Sequence, residues 1–249
     1  MFTNLIKLKK EFSRIKEMGW IKSCKNDFGG IGITFEKLLG IQTNELEIPD
    51  FGEIELKTKT DCSDEYITLF NCVPTGPHYH EVERLKDEFG YYDSKYKQYK
   101  VLNTFSYSGR LTKTISKYYM SLYVDKGAEK IFLCIYNAKK EVIEKQVYWD
   151  FDILKEKLYR KLKYIAVVNA KKRYLNGNKH FHYYKMQIYK LKDFNSFIES
   201  IAKGKIRVSF KIGIYTSGLK FGKIHDRGTG FAININDIES LFDIVETVK

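Results

Sequence analysis

The chain has 249 residues, 43% hydrophobic and 15% aromatic, and its 43 Lys and Arg against 31 Asp and Glu give a formal charge of +12. That length and apolar content are enough for a sizeable core and exclude a disordered chain. The positive surplus favours a polyanionic partner, nucleic acid above all, because the basic residues are interleaved with Tyr, Asn and Ser.

No apolar run approaches membrane-spanning length and no signal-peptide core follows the start, so a cytoplasmic protein without a membrane partner is expected. Cys24, Cys62, Cys72 and Cys134 are scattered with no C-x-x-C pair, which argues against both a disulfide framework and a zinc ribbon. Cys62, Cys72, His78 and His80 are too irregularly spaced to read as a metal site, and isolated cysteines usually pack as small apolar residues.

In chain order, Leu5, Leu8, Phe12 and Ile15 recur at three- and four-residue steps and predict an amphipathic first helix. The segment Asp27–Gly40 reads as a Gly-rich entry, a short helix carrying Phe35, Glu36, Leu38 and Leu39, and a Gly stop. Gly29, Gly30 and Gly32 suggest a phosphate-cradling loop, but no Lys-Ser/Thr pair follows, which rules out a nucleotide-binding P-loop.

The next stretch is the most informative: Ile48-Pro-Asp-Phe-Gly-Glu-Ile-Glu-Leu-Lys-Thr-Lys-Thr60. Pro49 and Gly52 place Asp50 at a strand end or bulge. From Glu53 the residues alternate, with Glu53, Glu55, Lys57 and Lys59 on one face and Ile54, Leu56 and Thr58 on the other. Asp50 and Glu55 together can hold a hard divalent cation, and Lys57 beside them can orient an attacking water. A charged, solvated strand face would also alternate in this way. The spacing Pro-Asp-x4-Glu-Leu-Lys is more restrictive, and it is the PD-(D/E)xK signature of metal-dependent nucleases. Glu36, just upstream, is a candidate third acid.

Tyr66–Phe70 reads as a strand, followed by a Pro/Gly turn from Pro74 to Pro77 that leads to His78. Val101–Lys113, with Asn103, Ser106, Ser108, Arg110 and Lys113, reads as a loop touching phosphates. Strands are predicted over Tyr119–Val124, Lys130–Tyr136 and Tyr164–Val168, and a helix through Leu154, Leu158 and Leu162. Alternating helices and strands around the motif give an α/β or α+β class, a mixed sheet flanked by helices.

Lys203–Arg227 differs in kind, because seven basic residues face one acid, Asp226. Its strand, Ile206–Tyr215, puts Arg207, Ser209 and Lys211 on one face and Val208, Phe210 and Ile212 on the other. A Gly-punctuated loop follows, carrying Ser217, Lys220, Lys223, His225 and Arg227. A polar β face beside a basic loop suits major-groove readout, with Tyr215, Asp226, His78 and Arg110 as further candidate DNA contacts. A solvated edge hairpin is the plainer alternative.

Six colinear segments, Gly30–Leu39, Pro49–Thr58, Tyr66–Phe70, Val147–Asp152, Leu162–Val168 and Ile212–Asp226, make the chain resemble the MvaI/BcnI family of type II restriction endonucleases, relatives of the mismatch-repair nickase MutH. The resemblance implies a monomeric, two-lobed, Mg²⁺-dependent enzyme that cuts double-stranded DNA at a short CCNGG-like site, alongside a separate cognate DNA methyltransferase. It implies a catalytic lobe on the minor-groove side and a recognition lobe in the major groove. Residues 1–200 are expected to be mainly catalytic and 201–249 mainly recognition. Asp50 and Glu55 become metal ligands, Lys57 the water-orienting group and Glu36 an auxiliary acid. The family pattern His-Asp-His-Gly, then Phe-Arg, departs here to His225-Asp-Arg-Gly228 and Phe231-Ala232, so the base-reading set differs. Two alternatives are a MutH-like nicking enzyme and a non-catalytic DNA-binding module; intact Asp50, Glu55 and Lys57 count against the second.

Overall fold

The computed structural model describes residues 2–25, 29–41, 48–61 and 66–249; Asp27 and Cys62 lie outside the described residues. Packing divides the chain into two units. One comprises residues 1–65, 158–192 and 241–249, and the other residues 66–157 and 193–240. The chain therefore passes between units four times. A strand late in the sequence completes a sheet begun early, so the divisions follow strand pairing and not chain order.

The first unit is a five-stranded sheet with two helices. Its strands run in the order Ile21–Lys22, Asn178–Leu191, Tyr164–Leu175, Ile54–Thr60, and Phe242–Val248 pairs further along the same edge of Asn178–Leu191 as Ile21–Lys22 does. Only the pairing of Ile54–Thr60 with Tyr164–Ala170 is parallel. The expected helical spacing is realised in Phe2–Glu17, where Leu8, Phe12 and Ile15 are wholly buried against Tyr164, Ala166, Val168, Tyr183 and Met186. The second helix, Gly30–Leu38, is held to the sheet by Phe35, which packs 5.0 Å from the Tyr183 ring, and by the Tyr183 hydroxyl, which donates to the Ile31 carbonyl at 2.7 Å.

The second unit has two sheets. One orders Tyr148–Asp150, Lys130–Tyr136, Tyr119–Asp125 and Thr112–Lys113, with Val142–Glu144 also on Lys130–Tyr136. The other orders Tyr66–Asn71, Gly230–Asn234, Ile206–Ile214, Lys100–Ser106 and Tyr91–Tyr92, with Ile224–Asp226 also on Ile206–Ile214. Trp149, Phe197, Phe210 and Phe231 fill its core, and the Trp149 indole donates to the Cys72 carbonyl at 3.0 Å.

One expectation changes here. Val101–Lys113 is not one loop: Lys100–Ser106 is a strand, with Val101, Leu102 and Ser106 buried and paired along Ile206–Ile214. Of its polar residues, Asn103 is exposed and Ser106 is buried, and the backbone partners come from about a hundred residues away in sequence. The charged stretch before it contains a helix, Glu81–Phe89, whose buried Glu81 pairs with Arg84. Among the described residues no helix is long and apolar enough to cross a membrane.

Phe12 is fully buried and Ile6 is 63% exposed. Phe12→Ala should therefore cost about 3–5 kcal/mol of stability, and Ile6→Ala within roughly 0.5 kcal/mol of none, as read by urea denaturation.

Candidate active site

A tight turn brings Asp50 to Glu55. Phe51 and Ile54 exchange backbone hydrogen bonds at 3.0 and 3.1 Å, closing the turn around Gly52, whose φ of +64° is the left-handed conformation that glycine adopts without strain. Asp50 precedes this pair and Glu55 follows it, so the two carboxylates emerge on one side. The Leu56 amide donates to Asp50 Oδ2 at 2.9 Å, fixing that side chain at the start of the strand.

Glu55 is only 2% exposed. Its Oε1 accepts from Lys57 Nζ at 2.7 Å, and Lys161, in the last turn of the helix Phe151–Lys161, stands 3.3 Å from the same oxygen. Its Oε2 is buried without a hydrogen-bond partner among the described residues. Burial, with repulsion from Asp50, holds the Glu55 carboxyl above its ordinary range against the opposing pull of Lys57. Glu36 is raised as well, first by burial and then by repulsion from Asp50 and Glu55. The helix carrying Glu36 approaches closely because Gly32 faces the strand: a Cβ there would stand 3.4 Å from Thr58 Oγ1 and 3.6 Å from Glu36 Oε1.

The structure thus gathers Glu36, Asp50, Glu55 and Lys57, and adds Lys161, which the sequence reading missed. Lys161 lies over a hundred residues from the motif, and a helix C-terminal lysine carries no local signal of such a role. Mutually repelling carboxylates with one orphaned buried oxygen suit a hard divalent cation, which needs only one or two carboxylates when waters and a phosphate complete its shell. Among the described residues, no three His, Cys, Asp or Glu side chains are already clustered at metal-binding distance.

In the second unit the basic segment folds as the hairpin Ile206–Ile214 and Ile224–Asp226, with a short 3-10 turn, Gly218–Lys220, at its tip. Tyr215 and His225 stack at 4.1 Å and 4°, with Lys220 Nζ 5.3 Å from the Tyr215 ring. Arg227 lies along Gly213 and donates to the Ile214 carbonyl at 3.4 Å. Lys211, Ser217 and Lys223 are exposed and Ser209 is half-buried.

Four candidates sit differently. Arg207 is half-buried, its guanidinium 3.6 Å over Tyr66 and 5.0 Å from Phe105, directly across the strand pair from Ala232. Asp226 serves the turn, accepting from the Gly228 and Thr229 amides at 3.0 and 2.8 Å and from the Thr229 hydroxyl at 3.1 Å. Arg110 stacks 3.5 Å over Tyr107 in a separate loop, and exposed His78 precedes the helix Glu81–Phe89, its amide donating to Glu81. The sequence reading also missed Phe221, which packs edge-on against Tyr96 and Tyr99 and anchors the tip; nothing in the local pattern joins residues so far apart.

A solved complex of restriction endonuclease MvaI with cognate DNA matches this fold at a TM-score of 0.89 and 31% identity, covering 96% of each chain. MvaI solved without DNA matches at 0.62 and 30% identity, covering 100% of this chain and 99% of that one. A comparison with curated proteins gives no match. Fold and sequence together make this chain a restriction endonuclease, an enzyme acting on DNA. It belongs to the MvaI/BcnI restriction endonuclease family, whose model matches residues 9–242.

Asp226→Ala removes three hydrogen bonds from one turn. It should cost about 1–3 kcal/mol, with faster amide exchange at Gly228 and Thr229 and little change at Leu56.

Proposed function

We propose that the chain hydrolyses phosphodiester bonds of double-stranded DNA at a short, CCNGG-like site, with Mg²⁺ as the divalent ion and a separate methyltransferase protecting the host's own sites. The observation that carries this is the convergence of Asp50, Glu55 and Lys57 at one strand end, with a buried Glu55 oxygen that has no hydrogen-bond partner among the described residues. Asp50 and Glu55 would hold the metal, and Glu36 assists as an auxiliary acid. A bound divalent cation supplies positive charge at the scissile phosphate and lowers the pKa of a water.

Lys57 would orient the attacking water and oppose the negative charge that develops on the phosphoryl oxygens. Lys161 balances Glu55 and so holds its carboxylate in place. Among the hairpin side chains, His225 and Arg227 are the foremost candidates for base edges, since Arg pairs best with guanine O6 and N7. Arg207 offers its guanidinium across from Ala232, where the family pattern has an arginine side chain. One catalytic motif per chain favours a monomer that cuts the two strands in succession.

Asp50→Ala and Lys57→Ala should each lower cleavage by at least about 100-fold while keeping specific binding, because affinity comes mainly from phosphate contacts. Full activity in EDTA, or wild-type turnover by either variant, would refute the assignment. Glu36→Gln should slow cleavage less than Asp50→Asn.

On supercoiled plasmid, nicked circles should accumulate before linear product. A stable dimer in sedimentation with no nicked intermediate counts against sequential cutting, and an end point at nicked circles points to a nickase. In a randomised-site library, Arg227→Ala should lose about 1–3 kcal/mol of discrimination at one position. Unchanged site preference would remove Arg227 from the reading set.

A further inference from the structure

The longest hairpin of the first unit outruns its neighbour. Ile54–Thr60 accompanies its first strand only from Tyr164 to Ala170, and Lys171–Leu175 continues beyond, paired with Asn178–His182. Between residues 164 and 192 the chain has seven basic residues and not one Asp or Glu. None of these seven belongs to the basic segment described above.

Strand register decides where the cations stand. Ile165, Val167 and Asn169 lie beside Glu55, Lys57 and Lys59. Across the hairpin, Asn169 faces Lys185, Lys171 faces His182 and Arg173 faces His180, and His180 in turn lies beside Lys22. Directly opposed residues share a face, and so does every second residue along a strand. One bulge, at Tyr184, takes up the single register shift. Alternation holds on either side of it, because Val168, Ala170, Phe181, Tyr183 and Met186 are all buried in the core on the opposite face. Lys22, Lys59, Lys171, Arg173 and Lys185 therefore line the face that also carries Glu55 and Lys57.

These cations are held for display. Lys22, Lys171 and Arg173 are exposed, and among the described residues none of the five pairs with a carboxylate. The Arg173 guanidinium stacks 4.2 Å over Trp20, whose ring lies 5.7 Å from His182. That stacking fixes a planar cation and leaves its edge free to donate. At 3.3 Å per residue, Lys171 and Arg173 stand roughly 13 and 20 Å along the strand from the position beside Lys57. Double-stranded DNA carries one charge per about 1.7 Å of axis, so a duplex lying along this span carries about 8–12 phosphates, both strands counted.

We infer that this face of the hairpin is a duplex-holding arm, which grips phosphates of DNA flanking the cleavage point without reading bases. The inference rests on Glu55 and Lys57 marking the cutting centre. A duplex supplies regularly spaced phosphates continuous with the scissile one, which no isolated anion does. The arm gives the first unit its own hold on DNA, independent of the reading hairpin.

The test is the full-length double variant Lys171→Gln/Arg173→Gln, with thermal unfolding as the check that it is folded. Binding is measured in EDTA over a salt series, on duplexes carrying the enzyme's site with flanks of about 3 or about 12 base pairs, at 3.4 Å per pair. On long flanks the variant should bind about tenfold more weakly, and its salt slope should shrink by about 2, one unit per lost phosphate contact. On short flanks, affinity and cut position should match wild type. Unchanged affinity and slope on long flanks would overturn the arm, as would equal losses on both lengths or a changed site preference. If wild type binds but never cuts DNA, the nuclease assignment fails, while the flank-dependent loss still reports on the arm.

Discussion

The structure turns on one buried carboxylate. Glu55 is nearly inaccessible, yet it is held by two ammonium groups on a single oxygen while its other oxygen has no partner among the described residues. Removing an ionised carboxylate from water costs several kcal/mol even after relaxation, and only well-placed opposite charge offsets it. The parallel pairing of Ile54–Thr60 with Tyr164–Ala170 sets Glu55 and Lys57 on a covered face. The helix ending at Lys161 delivers the second ammonium. With Asp50 close enough to raise its proton affinity further, the group is incompletely neutralised by the protein itself.

That local excess of acid lies within a chain of formal charge +12. At long range a polyanion is attracted, the more so at low salt. At short range three carboxylates repel a phosphate unless positive charge stands between them. Lys57 and Lys161 supply part of that charge, and on the proposed reading a divalent cation supplies the rest. A site built on these terms suits only an anion that arrives with its countercharge, so chemistry stays tied to correct loading of metal and duplex.

Much of the site was legible because its signals are local. Pro49, Asp50, Gly52, Glu55 and Lys57 lie within nine residues, and period-two alternation alone assigns the faces. Leu8, Phe12 and Ile15 marked their helix in the same way, through a period intrinsic to the backbone. What escaped reading was non-local. Lys100–Ser106 looked like a loop because its sheet partner is Ile206–Ile214. Lys161 is made relevant by a parallel crossover, and Phe221 by aromatic neighbours at Tyr96 and Tyr99. Arg207 looked like a free base reader, and nothing local announced that Tyr66 and Phe105 would enclose it. The departure at Ala232 was visible in sequence, but that Arg207 stands opposite needed the strand register.

The chain's repeated passage between units carries one more consequence. Residues 66–157 and 193–240 are, topologically, two excursions from the sheet that holds Glu55. The entropy of closing an excursion grows only with the logarithm of its length, roughly 0.6 kcal/mol for each doubling. Insertions, deletions and wholesale rewriting within the excursions thus cost the first unit's sheet very little. On the proposed reading, chemistry and target preference occupy separately editable stretches of one polypeptide. A lineage can drift from one DNA word to another while its hydrolytic scaffold stands still.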